Sequence, residues 1–188
     1  MAVRISIRSE LGDFLQGRPL GKRHFARLCE LLSETASGET IFLDFSDVEV
    51  VTGSWINESI VPLLNWSVDD RNDLYPVLTH VSISWLDDLQ LVADLTHTCF
   101  LTALENTSRQ AVLVGNLDSA QSETLNAVLE KYEVTGAELE RSHADGRVKA
   151  TAWNNRLKDL FGKRLLKRQK KGREQIYSPV MSEIQLNG

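Results

Sequence analysis

Val3, Ile5 and Ile7 alternate with Arg4, Ser6 and Arg8, the period of a strand with one buried face. Gly17, Pro19 and Gly21 then mark a turn. Phe25, Leu28, Cys29 and Leu32 fall at i, i+3, i+4 and i+7, which predicts a helix with one apolar face, ended by Ser37-Gly38. The run Ile41-Phe42-Leu43-Asp44-Phe45 suits a buried strand. After Thr52-Gly53-Ser54, Ile56, Ile60, Leu63 and Leu64 return to helical spacing, and Pro62 among them predicts a kink or a shortened helix. A third strand is expected over Pro76 to Val81, then a helix with Leu86, Leu89 and Ala93 on its inner face. Cys99 to Leu104 and Gln110 to Val114 predict two strands joined through Glu105-Asn106-Thr107-Ser108 as a hairpin. This order describes an α/β domain with a mixed sheet and parallel crossovers near its centre. Gly115-Asn116-Leu117-Asp118-Ser119 marks the boundary, giving units 1–117 and 118–188.

The second unit changes character. Leu125, Val128, Leu129 and Tyr132 predict a helix, and Thr135 with Glu138 three residues on forms a capping box for the next. That helix runs through Leu139 towards Asp145-Gly146. Thr151 is the expected cap of a third helix, whose inner stripe is Trp153, Leu157, Leu160 and Phe161 and which Gly162 closes. Leu165 to Arg168, the polar turn Gln169 to Arg173, and Gln175-Ile176-Tyr177 then predict a hairpin. The unit is α+β.

Charge separates the two units further. The first 118 residues carry eight basic and seventeen acidic side chains, whereas Arg147 to Arg173 holds eleven Lys or Arg and one acid, Asp159. The chain's pI of about 5.4 averages these unlike parts. Such asymmetry points to an anion-binding module. Nucleic acid is the leading anion, because its affinity comes largely from phosphate neutralisation.

Thr151-Ala152-Trp153-Asn154-Asn155-Arg156-Leu157-Lys158-Asp159-Leu160 resembles the third helix of bacterial winged helix-turn-helix regulators. Phe161 to Arg168 resembles the turn from that helix into the wing. The resemblance implies double-stranded DNA as partner, with the helix in the major groove and the wing on the backbone or minor groove. On a helical plot Thr151, Ala152, Asn155, Lys158 and Asp159 face outward, with Asn154 and Arg156 on the flanks. Asn and Arg can pair bidentately with adenine and guanine edges. Lys149, Lys163, Arg168, Lys170, Lys171 and Arg173 complete the expected DNA-binding set as phosphate contacts. Such regulators often read two half-sites, so a homodimer is expected. Trp153 lies in the apolar stripe and reads as core rather than as a base-stacking ring.

Phe42 to Trp55 resembles the central strand-turn-helix of STAS domains, and more closely the STAS-like family of bacterial regulatory proteins. In anti-sigma antagonists of that fold a serine in this loop is phosphorylated by an ATPase-fold kinase. Gly53 stands at that serine's position, so only Thr52 or Ser54 could substitute as phosphoacceptor. The plainer role of Ser54 is a helix N-cap, worth about 1 kcal/mol. Asp44 reads as a strand-end residue bonded within the following turn.

Little else suggests chemistry. Leu20-Gly21-Lys22-Arg23 departs from a P-loop at Gln16 and Arg23. His97-Thr98-Cys99 lacks the second pair of ligands that zinc requires. His24, His80 and His143 sit near no obvious base or nucleophile in sequence, and Asp69-Asp70 and Asp87-Asp88 read as loop or helix-start charges. No catalytic residue, cofactor or metal is therefore expected. No apolar run reaches the roughly 20 residues of a membrane span, the N-terminus lacks a signal-peptide core, and Cys29 and Cys99 read as reduced thiols. These features point to the cytoplasm. The expected function is a DNA-binding transcriptional regulator whose STAS-like unit receives a partner or signal. The alternative is a protein–protein adaptor in an anti-sigma-antagonist-like cascade, its winged helix contacting protein.

Overall fold

Apolar side chains alternate between two layers along each inner strand of one sheet. The computed structural model describes residues 3–69, 72–103, 110–143 and 148–186. The chain opens with β1 (Val3–Ser6), α1 (Ile7–Leu11), β2 (Phe14–Leu15), α2 (Arg18–Leu32), β3 (Thr40–Asp44) and β4 (Val50–Val51). It continues with α3 (Gly53–Ser67), β5 (Tyr75–Thr79), a 3₁₀ turn at Ile83–Trp85, α4 (Leu86–Thr96), β6 (Phe100–Ala103) and β7 (Gln110–Val114). The second half holds α5 (Ser119–Lys131), α6 (Gly136–Ser142), α7 (Ala150–Gly162), β8 (Leu166–Lys171), β9 (Glu174–Pro179) and β10 (Glu183–Leu186).

The main sheet is mixed, in the order β1-β3-β5-β6-β7-β10. β1, β3, β5 and β6 run parallel, β7 is antiparallel to β6, and β10 lies parallel to β7. Ile41, Leu43, Leu78, Phe100 and Val114 join Leu28, Trp55, Ile60, Leu63 and Leu89 in one core, under α2, α3 and α4. Their strand neighbours Phe42, Val77, Leu101 and Leu113 join Leu125, Trp153, Leu157, Phe161 and Leu166 in the other. The helices of the second half thus cover the opposite face of the sheet, and β10 extends it. The fold is α/β, with seven helices among the described residues.

Several local expectations change for identifiable reasons. α3 runs unbroken through Pro62, because Ser59, Ile60, Val61, Leu63 and Leu64 are all buried and hold both flanking turns in place. Its N-cap is Thr52, not Ser54: the Thr52 hydroxyl accepts from the Trp55 amide at 3.4 Å. α2 starts at Arg18 with Pro19 in its first turn, where a missing N–H costs nothing. It ends at Leu32, before Ser37-Gly38. Ile7 leaves the first strand and opens α1, which Ser6 caps. In the second half Thr135 and Glu138 form the expected capping box. Thr151 does not cap α7; the Glu140 carboxylate from α6 accepts from the Ala150 amide instead, at 3.1 Å. The expected hairpin turn at Glu105 to Ser108, with Asp70, Asp145, Gly146 and Arg147, lies outside the described residues.

Gly115 ends β7 at φ 120, where a Cβ would stand 2.6 Å from the Thr98 carbonyl oxygen. Both the backbone region and the space demand glycine. Gly115→Ala is expected to cost about 3 kcal/mol in urea unfolding; a loss under about 1 kcal/mol would contradict this packing. No helix among the described residues is long and apolar enough to cross a membrane.

Candidate nucleic-acid interface

α7 buries Trp153, Leu157, Leu160 and Phe161 as its spacing requires. Thr151, Asn154, Asn155, Lys158 and Asp159 are left exposed on its other side. Asn154 is less available than its exposure suggests, since its carboxamide lies in the space that a Cβ on Gly136 of α6 would occupy. Arg156 turns sideways, with its guanidinium 3.1 Å from Glu123 of α5 and 4.9 Å from the Trp153 ring centroid. Lys149 lies 3.5 Å from Glu140.

β8 and β9 pair antiparallel from Leu166–Pro179 at the root to Lys171–Glu174 at the tip. The expected five-residue turn is therefore only Gly172-Arg173. Gly172, at φ 65, takes the first central position of a two-residue hairpin loop. Val134, between α5 and α6, bridges antiparallel to Tyr177. This ties the hairpin to the helices. Lys170, Lys171 and Arg173 are exposed at its tip.

The basic residues therefore divide into groups that their linear order conceals. Lys163 donates to the His97 carbonyl oxygen at 3.3 Å, and Lys167 to the Gly38 carbonyl oxygen at 3.0 Å. Burial lowers the Lys167 pKa, opposed by Glu39 and Asp73. Arg168 stacks 4.2 Å from the Phe161 ring centroid. Arg164 is 2% exposed, lies 4.5 Å from the Phe161 centroid and 4.9 Å from that of Tyr75, and donates to Asp73 at 2.9 Å. Lys163, Arg164 and Lys167 thus fasten the second half to the first. Among the described residues, Lys158, Lys170, Lys171 and Arg173 are the cations of this stretch with no ion pair or side-chain hydrogen bond.

Arg164 and Lys167 were not among the expected site residues. Arg164 occupies the left-handed position that follows α7, at φ 59. The Leu165 amide donates to the Leu160 carbonyl oxygen and the Arg164 amide to that of Phe161, the two bonds of a Schellman ending. Glycine usually takes this position, so an arginine two residues after Gly162 was the available signal.

At the other end of the sheet, Asp44 gathers a polar cluster at the end of β3. It accepts from the Ser46 amide at 3.0 Å, the Ser46 hydroxyl at 2.7 Å and Arg4 at 3.0 Å, and lies 2.7 Å from His80 Nδ1. His80 therefore has a carboxylate partner that its sequence neighbourhood did not suggest. Burial pushes the Asp44 carboxyl up, but the bonds from Ser46, His80 and Arg4 outweigh it and hold the pKa at about 2. A lowered carboxylate pKa stabilises the fold above its unfolded value, near 3.8, and that contribution disappears as pH falls through about 2. Asp44→Asn is expected to flatten the loss of thermal stability over that pH range. Superimposable acid limbs for the two proteins would count against the cluster.

Of the two candidate phosphoacceptors, Thr52 is engaged, since its hydroxyl accepts from the Gly17 and Trp55 amides. Ser54 is exposed, with its hydroxyl 3.2 Å from that of Thr52. The Asp88 carboxylate already accepts from the Gly53 amide at this helix start, at 3.2 Å. His24 accepts from the Trp55 indole at 3.1 Å, and His143 packs against Trp153 with centroids 4.6 Å apart. Both cysteines are free thiols. Compared with family models, with curated proteins and with solved structures, the chain matches none of them.

Proposed function

We propose that this chain is a DNA-binding regulator, its second half a winged helix-turn-helix and its first a STAS-like unit that receives a partner or signal. The observation that carries the reading is the exposed set Lys158, Lys170, Lys171 and Arg173, which pairs with none of the described residues, on a helix face and on the hairpin that follows it. The remaining described cations of the stretch are paired, stacked or turned into the seam. The order α5, bridging residue, α6, α7, hairpin supports it further.

In this reading α7 lies in the major groove with Thr151, Asn155 and Lys158 outermost, and the hairpin tip meets phosphates. Arg156 reads a base only after leaving Glu123, so Asn155 is the first candidate for base recognition. Fluorescence anisotropy of labelled duplex DNA, titrated over a range of salt, tests the proposal. Binding with a steep salt dependence supports it. Absence of binding at low salt refutes it and leaves the hairpin cations to an acidic protein surface, the adaptor reading.

A further inference from the structure

α5 packs against α7 and holds back one arginine of its outer side. Arg156 Nη1 donates to the Glu123 carboxylate at 3.1 Å. The same guanidinium lies 4.9 Å from the ring centroid of Trp153, a core residue of the same helix. The Arg156 side chain is therefore only 23% exposed, although α7 carries it on the flank of its outward face. Glu123 stands on the solvent side of α5, beside the buried Thr124, Leu125, Ala127 and Val128. Asn155 and Lys158, the outward neighbours of Arg156, have no such tie to any described residue.

Holding the helices together is a minor part of what this pair can do. α5 and α7 already share the core of Leu125, Val128, Leu157 and Leu160. The Glu123 carboxylate is 50% exposed, and ion pairs open to water add little stability. The larger effect is on where the arginine's charge is directed. An unpaired arginine here would meet backbone phosphates of any sequence, which adds affinity without adding discrimination. Bound to Glu123 and laid against Trp153, it gives that up unless another acceptor replaces the carboxylate. A guanine edge is such an acceptor, with O6 and N7 matched to a guanidinium.

We propose that Glu123 is a specificity-determining residue, which keeps Arg156 off backbone phosphates and releases it only where a seated α7 meets a guanine edge. Discrimination then comes from weakening the wrong complexes as well as from contacts in the right one. That DNA is the partner rests on the function proposed above; the pairing of Arg156 with Glu123 does not.

Fluorescence anisotropy of a labelled mixed-sequence duplex, titrated over salt with the full chain, tests this role. Glu123→Gln keeps the size of the side chain and removes the charge that holds Arg156. It should bind the duplex about fivefold more tightly at roughly 0.1 M salt and steepen log K against log salt by about 0.9, one further phosphate contact. Glu130→Gln removes an equal charge about two turns further along α5, from a carboxylate that pairs with no described residue, and should leave the steepness unchanged. With Arg156→Gln already present, Glu123→Gln should change nothing. The comparison of Glu123→Gln with Glu130→Gln stands even if Arg156→Gln loosens the fold. A gain that Glu130→Gln matches, or that persists without Arg156, reflects net charge alone and overturns the role of Glu123. So does a Glu123→Gln chain that binds as the unaltered one does while the hairpin variant Lys170→Ala, Lys171→Ala and Arg173→Ala is weakened, a result that leaves the DNA reading standing. No binding by the unaltered chain at low salt overturns both.

Discussion

Arg164→Ala should lower the free energy of unfolding by about 3–5 kcal/mol, the cost of removing one member of a buried ion pair. The guanidinium is 2% exposed and joins the end of α7 to Asp73 beside the sheet. It also packs against the rings of Tyr75 and Phe161, a desolvated cation–π geometry worth about 2 kcal/mol. Asp73 would keep only the Tyr75 hydroxyl, at 2.9 Å, of the two donors now at its Oδ1.

The backbone adds a sharper comparison. Residue 164 sits at φ 59, where any Cβ costs about 1–2 kcal/mol and glycine nothing. Arg164→Gly should therefore be less destabilising than Arg164→Ala by about 1 kcal/mol, although it removes more atoms. Urea denaturation followed by circular dichroism measures both. An alanine variant within about 1 kcal/mol of the unaltered chain, or a glycine variant worse than alanine, would show that the seam is not held in this way.

What could be read from the sequence, and what could not, follows from the range of each interaction. The apolar run Ile41-Phe42-Leu43, whose side chains point alternately to the two faces of a strand, and the stripe Trp153, Leu157, Leu160 and Phe161 reflect local geometry, and the two cores follow them. The Thr135–Glu138 capping box spans three residues and was equally visible. The cap of α7 was not, because Glu140 on another helix supplies it in place of Thr151. Pro62 looked like a breaker because propensity carries no information about the burial on either side of it. β10 is four residues long and finds its place only by pairing with β7, more than sixty positions earlier in the chain.

The candidate site was legible in its elements but not in its charges. Along the chain Lys163, Arg164, Lys167 and Lys170 are equivalent members of a basic run. In the fold the first three reach His97, Asp73 and Gly38, across 66, 91 and 129 residues, while Lys170 stays exposed. Linear charge density cannot separate a fastening from a contact surface. Lys163 and Arg156, both expected to meet DNA, are placed against His97 and Glu123. The expected phosphate contacts with no such tie among the described residues are Lys170, Lys171 and Arg173, joined by Lys158 on the helix.

That division makes the DNA proposal quantitative. Each lysine or arginine that neutralises a phosphate contributes about 0.9 to the slope of log K against log salt. Removing three at the hairpin tip should therefore reduce the slope by about 2–3 and lower affinity by about 10²–10³-fold at roughly 0.1 M salt. Lys167→Ala removes a charge of the same type, three residues from Lys170, but one bonded to Gly38. It should leave the slope unchanged.

The most direct test is the salt dependence of duplex DNA binding, measured by fluorescence anisotropy for three proteins. They are the unaltered chain, the variant carrying Lys170→Ala, Lys171→Ala and Arg173→Ala, and Lys167→Ala. A slope lower by about 2–3 is expected in the second and an unchanged slope in the third. Equal slopes in all three, or a loss in Lys167→Ala matching that of the hairpin variant, would contradict it.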